Sequence, residues 1–299
     1  MNEKDCLMLQ FISEEQNLTK AAERLFITQP ALTYRLQQIE KDFGVPIITK
    51  NTRGVKLTPE GEYLVKYAQK NLIELRNTKD YLVSMRNEVT GNLRIGVFSY
   101  FGLHSLPPLL RNFLNAHPNV QINVHTGLSD EIFELLQLEE IHLAIVRGDF
   151  HWFDQKYLVH EGYISVISQE RIELEQLPKL PRINYKVPKL TGKSSSTYVQ
   201  SHSSLSRTIE EWWYERFNVP PFITMQVDTY ETCKEMVKNG LGYAIIPSMF
   251  VKPDEKLHQI PLVWNNGEPI KRDTLMLYRE ASLQYTVVNR FISYIKNQT

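Results

Sequence analysis

The sequence predicts an α+β N-terminal domain, a long connecting helix and an α/β C-terminal domain. Three observations lead to this prediction. Short helical patterns fill the first 44 residues, an unbroken helical pattern runs from residue 59 to about 87, and strands alternate with helices from residue 92. The length of 299 residues suits two or three domains, and an apolar fraction of 42% is ordinary for a folded soluble protein.

The first part of the chain predicts two short helices that cross closely. The first runs from about Lys4 to Glu15, and its apolar face is formed by Leu7, Phe11 and Ile12. The second begins near Thr19, with Asn17 or Thr19 as its N-cap. Because Ala21-Ala22 is a pair of small residues, another helix can approach it closely.

A third helix follows after a turn at Phe26-Ile27. Thr28 is its expected N-cap, Pro30 lies in its first turn, and Gly44 ends it. The positions expected to face the core are Ala31, Leu32, Leu36, Ile39 and Phe43. The positions left to face outward are Gln29, Pro30, Thr33, Tyr34 and Arg35.

A basic stretch without acidic residues runs from Val45 to Pro59, and Arg53-Gly54 predicts the tip of a β-wing. Gln and Arg side chains suit bidentate contacts to base edges, and a helix N-terminus favours a phosphate. The segment therefore predicts a winged helix-turn-helix that binds double-stranded DNA. The candidate DNA-binding residues are Thr28, Gln29, Pro30, Thr33, Tyr34, Arg35, Lys50 and Arg53.

Interpretations without a DNA-reading role remain open for this segment. The two helices and their turn could be purely structural, Tyr34 could only pack on the sugar backbone, and Lys56 could be a solvated charge. The net charge is zero, and the first 58 residues hold eight Lys/Arg against seven Asp/Glu. Attraction to DNA must therefore come from local placement of charge and from doubling in a dimer.

The helical pattern from Pro59 to about Asn87 carries an apolar stripe, formed by Leu64, Ala68, Leu72, Leu75 and Leu82. At a rise of about 1.5 Å per residue the helix is roughly 40 Å long, too long for a small winged domain to bury. The stripe predicts pairing with the same helix of a second copy. Packing within its own chain is the alternative, and residues 88–92 are the expected hinge.

The C-terminal half predicts strands and helices in alternation, typical of a parallel sheet covered by helices. The expected strands are 92–97, 120–124, 141–146, 163–167, 243–247 and 274–278, with a loop from Phe98 to His104. The expected helices are 105–116, 129–140, 205–217, 228–239 and 287–295, with Ser105, Ser129 and Asp228 as N-caps of three of them.

These features together resemble the LysR-type transcriptional regulators over the full chain. In the first half the motif residues are Ala21-Ala22, Thr28-Gln29-Pro30-Ala31-Leu32-Thr33, Glu40, Gly44 and Leu57-Thr58-Pro59-Glu60-Gly61. In the second half they are Gly91-Asn92-Leu93-Arg94-Ile95-Gly96, Leu106-Pro107-Pro108-Leu109-Leu110 and Gly240-Leu241-Gly242-Tyr243-Ala244-Ile245-Ile246-Pro247.

The chain departs from the family pattern at three places. Tyr34 stands where the family often has Arg, and an Arg follows one position later. Ile47-Ile48-Thr49-Lys50 replaces the usual Leu-Phe-x-Arg before the wing, and His142 stands where relatives often carry Asp. An operator sequence therefore cannot be borrowed from a relative.

The resemblance implies a second half with the fold of type 2 periplasmic binding proteins. It implies a DNA-binding domain at 1–58, a linker at 59–90, lobe I at about 91–161 and 268–299, and lobe II at about 162–267. It also implies that the residue matching Arg53 reaches into a minor groove. Linker helices would pair antiparallel in a homodimer, and two dimers would form a homotetramer that alters DNA bending and recruitment of RNA polymerase.

A small-molecule effector is expected between the lobes, at the carboxyl ends of strands. The candidate effector-binding residues are Ser99, Tyr100, Phe101, Ser129, Arg147, Gln200, Ser203 and Ser204. Helix N-termini near Ser105, Ser129 and Ser204, together with Arg147, favour an anion such as an organic acid or amino acid. Each serine could instead be a simple helix cap, and Arg147 could be only part of an ion pair.

The sequence gives no pattern for catalysis, a cofactor or a metal. His142, His151 and His160 fit no usual zinc spacing, and no nucleophile elbow or phosphate-binding loop is present. Cys6 and Cys233 suggest neither a disulfide nor a redox pair. Without a signal peptide or long apolar run, we expect a cytoplasmic regulator with no membrane contact. The alternative is a metabolite-binding or enzymatic protein whose N-terminal domain has a role without DNA.

Overall fold

The structure is a computed structural model that describes residues 1–51, 54–85, 88–186 and 198–298, with only the backbone at 50, 51 and 198–204. It divides into two compact units, Met1–Gly91 and Asn92–Thr299. Within the described ranges, no helix combines the length and apolar character needed to cross a membrane.

The first unit contains three short helices, a hairpin and a long helix. In chain order these are α1 (Glu3–Glu15), α2 (Leu18–Arg24), α3 (Gln29–Phe43), β1 (Ile48–Asn51), β2 (Gly54–Leu57) and α4 (Pro59–Ser84). The strands β1 and β2 pair antiparallel. Asn17, one of the two predicted candidates, caps α2, whereas Thr28 caps α3 and Gly44 ends α3 with φ of 71°, as the sequence predicted.

The core of this unit corrects two predicted positions on α3. Leu32, Leu36 and Ile39 are buried, but Ala31 is exposed and Phe43 is 45% exposed. Ala31 lies about 100° around the helix from Leu32, and Phe43 is the last helical residue. The buried stripe is therefore narrower than the sequence pattern suggested.

The second unit contains ten named strands, the first of which begins at Gly91, the last residue of the first unit. The strands are β3 (Gly91–Phe98), β4 (Val120–Gly127), β5 (Leu143–Arg147), β6 (Gln155–His160), β7 (Ile164–Ser168), β8 (Arg182–Tyr185), β9 (Ile223–Val227), β10 (Tyr243–Pro247), β11 (His258–Pro261) and β12 (Thr274–Tyr278). The helices are α5 (Ser99–His104), α6 (Leu106–Ala116), α7 (Ser129–Gln137), α8 (Tyr198–Arg216), α9 (Tyr230–Lys238) and α10 (Thr286–Lys296).

Two five-stranded sheets organise this unit. Lobe I contains the sheet β4-β3-β5-β12-β6, and lobe II contains the sheet β11-β7-β10-β8-β9. Both sheets are mixed, which corrects the predicted parallel sheet. In lobe I, β3 and β5 are parallel, whereas β12 returns from lobe II and runs antiparallel to β5 and β6.

Local structure differs from the prediction at three further places. The expected loop at Phe98–His104 is instead the end of β3 followed by the short helix α5. Ser105 makes no side-chain cap bond to α6. Thr229, rather than Asp228, caps α9 by accepting a hydrogen bond from the backbone N–H of Thr232. Composition at a helix start indicates a cap but does not fix which of two neighbouring polar residues forms it.

Candidate functional site

The exposed start of α3 forms the predicted reading surface. The Thr28 hydroxyl accepts from the N–H of Ala31, which fixes the first turn of the helix. The Gln29 Nε2 donates to Thr33 Oγ1 at 2.8 Å. This bond orients the amide and leaves its oxygen and one N–H available, the pair of groups that a bidentate base contact requires. Tyr34 is 65% exposed on the same helix.

Arg35 is held by a partner within the protein. Its Nε and Nη2 donate to the two carboxylate oxygens of Asp5 at 2.6 and 2.7 Å. Asp5 is buried at the start of α1, so this bidentate pair ties α3 to α1. The expected outward-reaching Arg35 is therefore largely committed to its own domain, and Tyr34 takes the more exposed position.

The Asp5 carboxylate predicts a measurable pH dependence. Hydrogen bonds from Arg35 and then from the Asn2 N–H outweigh burial and hold the pKa of Asp5 below its usual value. Its contribution to stability is therefore present at neutral pH and is lost as the pH falls below about 4. We expect Asp5→Asn to lower the free energy of unfolding of the first unit by about 2 kcal/mol at pH 7 and to flatten its acid dependence.

Urea unfolding followed by circular dichroism measures this effect. All four tryptophans lie between residues 152 and 264, so their fluorescence reports the second unit separately. Asp42→Asn, an exposed substitution on α3, is the matched control and should change stability by less than about 0.5 kcal/mol. Equal effects of the two substitutions at pH 7 would contradict the role assigned to the Asp5–Arg35 pair.

The wing hairpin is anchored at its base. The Val55 N–H donates to the Gln16 carbonyl at 3.0 Å, which connects β2 to the end of α1. The backbone of Lys50 lies in β1, while its side chain and the whole of Arg53 lie outside the described residues. The structure therefore places the strands of the wing but leaves the predicted contacts of Lys50 and Arg53 as expectations.

The start of α4 is locked onto the chain before the wing. The Thr58 hydroxyl donates to the Pro46 carbonyl at 2.6 Å and accepts from the Gly61 N–H at 2.9 Å. The Thr58 N–H also donates to the Ile47 carbonyl. Because these bonds fix the first turn of α4, the direction of the long helix is fixed relative to the reading helix.

The apolar stripe of α4 is buried only in its first half. Leu64 and Ala68 lie in the core of the first unit, and Leu72 packs at its edge. Further along, Tyr81 is 40%, Leu82 58% and Met85 63% exposed. The first half of α4 therefore packs within its own chain, which was the alternative to pairing with a second copy. In the second half, no described residue covers these apolar side chains.

A cavity of about 230 Å³ lies between the two lobes of the second unit. Four of the predicted effector-binding residues line it: Ser99, Tyr100, Ser129 and Arg147. Phe101 does not line it, because its ring is buried beside Phe98. The side chains of Gln200, Ser203 and Ser204 lie outside the described part of the chain, although their backbone belongs to α8.

Ser129 is positioned by the strand that carries Arg147. It is the first residue of α7 rather than its N-cap, and its Oγ accepts from the Arg147 N–H at 3.1 Å. Its hydroxyl hydrogen can still be donated to a ligand. The predicted cap interpretation of Ser129 is therefore wrong in detail, since its oxygen satisfies a neighbouring strand instead.

Two arginines supply the positive charge of the cavity. Arg147 is 5% exposed, its Nη2 has no hydrogen-bond partner, and its Nε makes only a 3.5 Å contact to the Arg272 carbonyl. No carboxylate of the described residues forms an ion pair with either arginine. Burial, and then repulsion from Arg272, lower the pKa of Arg147 to about 9. An anion bound here would relieve both effects.

No sequence pattern indicated Arg272, because it lies in an irregular segment just before β12. Burial also lowers the pKa of its guanidinium. The guanidinium packs on the backbone of Gly148, where a Cβ would lie 3.2 Å from Nη1. Gly148 has φ of 104°, so the turn after β5 both requires glycine and makes room for Arg272.

Lobe II contributes aromatic and acidic groups that were also missed. Tyr185 and Tyr230 stack with ring centroids 4.1 Å apart, and Asp228 and Glu231 lie beside them at the cavity. The predicted cap pattern near Asp228 was the only sequence signal for this wall. The cavity therefore presents arginines from one side and carboxylates from the other.

Tyr100 links the two lobes at this cavity. Its hydroxyl donates to the Met249 carbonyl at 2.9 Å, and its ring lies 4.4 Å from that of Phe250. The Arg147 guanidinium lies 5.4 Å from the same Phe250 ring. Any change in the separation of the lobes must therefore alter contacts of two groups that line the cavity.

The two cysteines and His142 lie in surroundings that suit a structural role. Burial raises the pKa of the Cys233 thiol to about 12 and also raises that of Cys6, which keeps both as unreactive thiols. His142 accepts a hydrogen bond from the Arg94 N–H at Nδ1. Among the described residues, no group of three or more His, Cys, Asp and Glu is arranged to hold a metal ion.

Comparison with known families accounts for both units. Residues 5–62 match the family described as bacterial regulatory helix-turn-helix protein, lysR family, and residues 86–299 match LysR substrate binding domain. The HTH-type transcriptional regulator YraN of Bacillus subtilis is 41% identical over 298 residues, covering 100% of this chain and 98% of the relative. YkuM of the same organism is 34% identical, covering 97% and 95%.

Solved structures share the fold at low identity. CbnR, a LysR family regulator in complex with its target DNA, aligns with a TM-score of 0.61 at 19% identity, covering all of both chains. A full-length OxyR variant from Pseudomonas aeruginosa aligns with a TM-score of 0.62 at 18% identity, covering 99% of this chain and 95% of that one.

Proposed function

The chain belongs to the LysR-type transcriptional regulators, and from that premise we propose how it reads DNA and which class of effector controls it. A DNA-binding helix-turn-helix domain joined to an effector-binding domain makes it a ligand-responsive regulator. We further propose which residues and which chemistry serve each part, with a binding rather than an enzymatic role for the cavity.

For DNA, we propose that Gln29, Thr33 and Tyr34 contact base edges or the adjoining sugars, with Thr28 and Pro30 placing the helix N-terminus near a phosphate. The bond between Gln29 and Thr33 supports a base-reading role, because it orders both side chains before contact. Arg35 acts through its pair with Asp5 to position α3. Lys50 and Arg53 on the wing supply phosphate or minor-groove contacts.

For assembly, we propose a homodimer formed by antiparallel α4 helices, two of which form a homotetramer. The exposed apolar side chains in the second half of α4 support this assembly, since water contact there is unfavourable. A dimer places two reading helices on a two-fold site and doubles the positive charge offered to DNA. Contact with RNA polymerase, and a place in the cytoplasm with the DNA, follow from this role.

For the effector, we propose a small carboxylate, and specifically one of amino-acid type. The single observation that carries this is the unpaired, buried Arg147 beside Arg272 in the interlobe cavity. Ser99 and Ser129 can add hydroxyl donors to a carboxylate. Asp228 and Glu231 on the opposite side suit an ammonium group, which a simple organic acid lacks.

The DNA part is tested by selecting duplexes from a random pool with the full-length protein and measuring affinity against salt. We expect the logarithm of the association constant to fall steeply with the logarithm of salt concentration. Gln29→Ala should weaken the selected duplex about tenfold, or about 1.4 kcal/mol, and relax specificity while leaving the salt slope unchanged. Leu82→Glu should weaken binding through loss of the dimer, detected by sedimentation.

Gln37→Ala is the matched control, since Gln37 is exposed on α3 beyond its first two turns. It should keep both affinity and specificity. If no duplex is enriched, or if binding does not respond to salt, the DNA-reading proposal fails. If Gln37→Ala relaxes specificity as much as Gln29→Ala, the reading surface is assigned to the wrong turns.

A further inference from the structure

A second cavity of about 250 Å³ lies within lobe II, apart from the proposed effector cavity. It lies between α8 and the sheet edge formed by β8 and β9 and opens to solvent. Its lining is mainly apolar and aromatic, and includes Leu205, Ile209, Trp213, Ile223 and Ile245. A cavity of about 150 Å³ can hold benzene, so this one has room for a ligand of roughly ten non-hydrogen atoms.

The cavity contains one buried cation, Arg182. Arg182 is 6% exposed at the start of β8, and its Nε has no hydrogen-bond partner. Its guanidinium lies 5.7 Å from the ring of Trp213. Glu210 also lines the cavity, but no ion pair joins it to Arg182 in the described chain. Burial lowers the pKa of the guanidinium, as expected for a cation without a counter-charge.

An unpaired buried charge is costly, and a chain usually avoids it by pairing the charge or replacing it. An apolar side chain of similar length would fill the same space beside Trp213 without that cost. Retaining an arginine in an aromatic cavity therefore suits the capture of an anion whose remaining atoms are apolar. A guanidinium whose face lies over an indole ring can still donate its N–H groups to a carboxylate in the guanidinium plane.

We propose that this cavity is a second ligand site, which binds an apolar monocarboxylate with an aromatic or branched body through Arg182. The ligand's carboxylate accepts from Arg182, and its body packs against Trp213, Ile209 and Ile245. A polar amino acid does not suit this lining. The two sites therefore select different ligand classes.

The second site adjoins the effector cavity through a shared wall. Tyr185 and Tyr230, the stacked pair, line both cavities. A ligand at Arg182 and a ligand at Arg147 would both contact this pair. Occupation of the second site therefore changes the wall against which the effector binds, which gives the regulator a route for responding to two signals.

Titration calorimetry of the full-length protein with phenylacetate and its neutral amide tests the proposal. We expect phenylacetate to bind with a dissociation constant below about 1 mM, and phenylacetamide to bind at least about tenfold more weakly, a difference of about 1.4 kcal/mol. Arg182→Met should weaken phenylacetate binding by a similar factor, and the tryptophan fluorescence, to which Trp213 contributes, should no longer respond to phenylacetate. In the Arg147→Met background the phenylacetate site should remain, which separates it from the effector cavity.

Two further variants keep the result interpretable. Ile223→Trp narrows the rim at a position that is already 39% exposed, so it should block phenylacetate without a folding cost. Arg216→Met is the matched control, because Arg216 lies over Trp212 but does not line the cavity. The proposal would be overturned if phenylacetate and phenylacetamide bound equally, or if Arg182→Met still bound phenylacetate. It would also be overturned if only Arg147→Met lost phenylacetate binding. Absence of binding by phenylacetate, 3-phenylpropionate and 4-methylpentanoate would overturn it as well.

Discussion

Arg147→Met should abolish the response to the effector while leaving the free protein at least as stable as before. The substitution removes a bidentate donor to the carboxylate, so we expect affinity to fall about 100-fold, or about 2.7 kcal/mol. It also removes a buried guanidinium whose Nη2 has no partner and whose neighbour Arg272 repels it. Replacing such a charge by an apolar side chain of similar volume is often neutral or stabilising.

This pair of opposite effects distinguishes a ligand-binding arginine from a structural one. A structural arginine in an ion pair would leave an uncompensated partner and lower the melting temperature when removed. The measurement is a thermal-shift titration of the full-length protein with amino acids, dicarboxylates, phosphates and sugars. A true effector raises the melting temperature in proportion to the logarithm of its concentration above the dissociation constant.

Arg279→Met is the matched control for this experiment. Arg279 follows β12 as Arg272 precedes it, and it bonds to the Gln137 carbonyl away from the cavity. Its loss should leave the ligand response unchanged. Arg272→Met should reproduce the loss seen in Arg147→Met. A melting temperature that falls in Arg147→Met while the ligand response persists would assign Arg147 to structure instead.

The ligand class in that titration also decides between two forms of the effector proposal. A response to amino acids but not to the matching acids without an amine would support an ammonium site at Asp228 and Glu231. A response to the acids alone would keep the arginines as the anion site and remove the acidic residues from it. In either case the DNA-reading proposal stands or fails separately, because it rests on residues of the first unit.

Local sequence patterns predicted the helices and the ends of α2 and α3, because the forces that set them act within a few residues. The predicted caps at Ser105, Ser129 and Asp228 were wrong. Asn17, Thr28 and Gly44 could be assigned from neighbours one to four positions away. Arg147 could be assigned because a polar residue directly after a buried strand lies at a sheet edge. These features depend on short stretches of chain and not on the residues that pack around them.

The errors that affect the site concern contacts between distant residues. Arg35 is 30 positions from Asp5, and no periodic pattern in either helix indicates that the two would pair. Arg272 reaches the cavity from an irregular segment more than 120 positions after Arg147, so only the folded chain brings them together. The mixed sheets have the same origin, since the direction of β12 depends on the path of the chain through lobe II.

The order of the chain through the lobes also explains why the cavity is suited to a switch. β5 ends in lobe I at Arg147, while Arg272 lies where the chain returns from lobe II, and its N–H donates to the Gly162 carbonyl at 2.7 Å. Arg272 therefore sits at the crossings between lobes, and Arg147 faces it from the end of β5 in lobe I. A ligand that holds both guanidinium groups fixes these crossings, and it can shift the protein only by its difference in affinity for the two lobe arrangements.

Gly61→Ala should disable DNA binding by a different route, through the packing of α4. A Cβ at position 61 would overlap the carbonyl oxygen of Ile47, a backbone atom that cannot rotate away. The same carbonyl accepts from the Thr58 N–H, so any displacement also breaks the cap of α4. We expect the first unit to lose about 3 kcal/mol of stability, although alanine favours a helix more than glycine does.

Urea unfolding by circular dichroism, with affinity for the selected duplex measured on the same samples, checks this prediction. Gly44→Ala is the matched control: Gly44 has φ of 71°, and nothing lies within 4 Å of the added Cβ, so only the strain of about 1 kcal/mol applies. If both substitutions cost the same, backbone conformation alone explains the glycines. If Gly61→Ala lowers the free energy of unfolding far more than Gly44→Ala does, the close approach of α4 to Ile47 sets the angle between the reading helix and the dimer helix. A Gly61→Ala variant that stays stable but loses DNA affinity would show that this angle matters for DNA binding more than for stability.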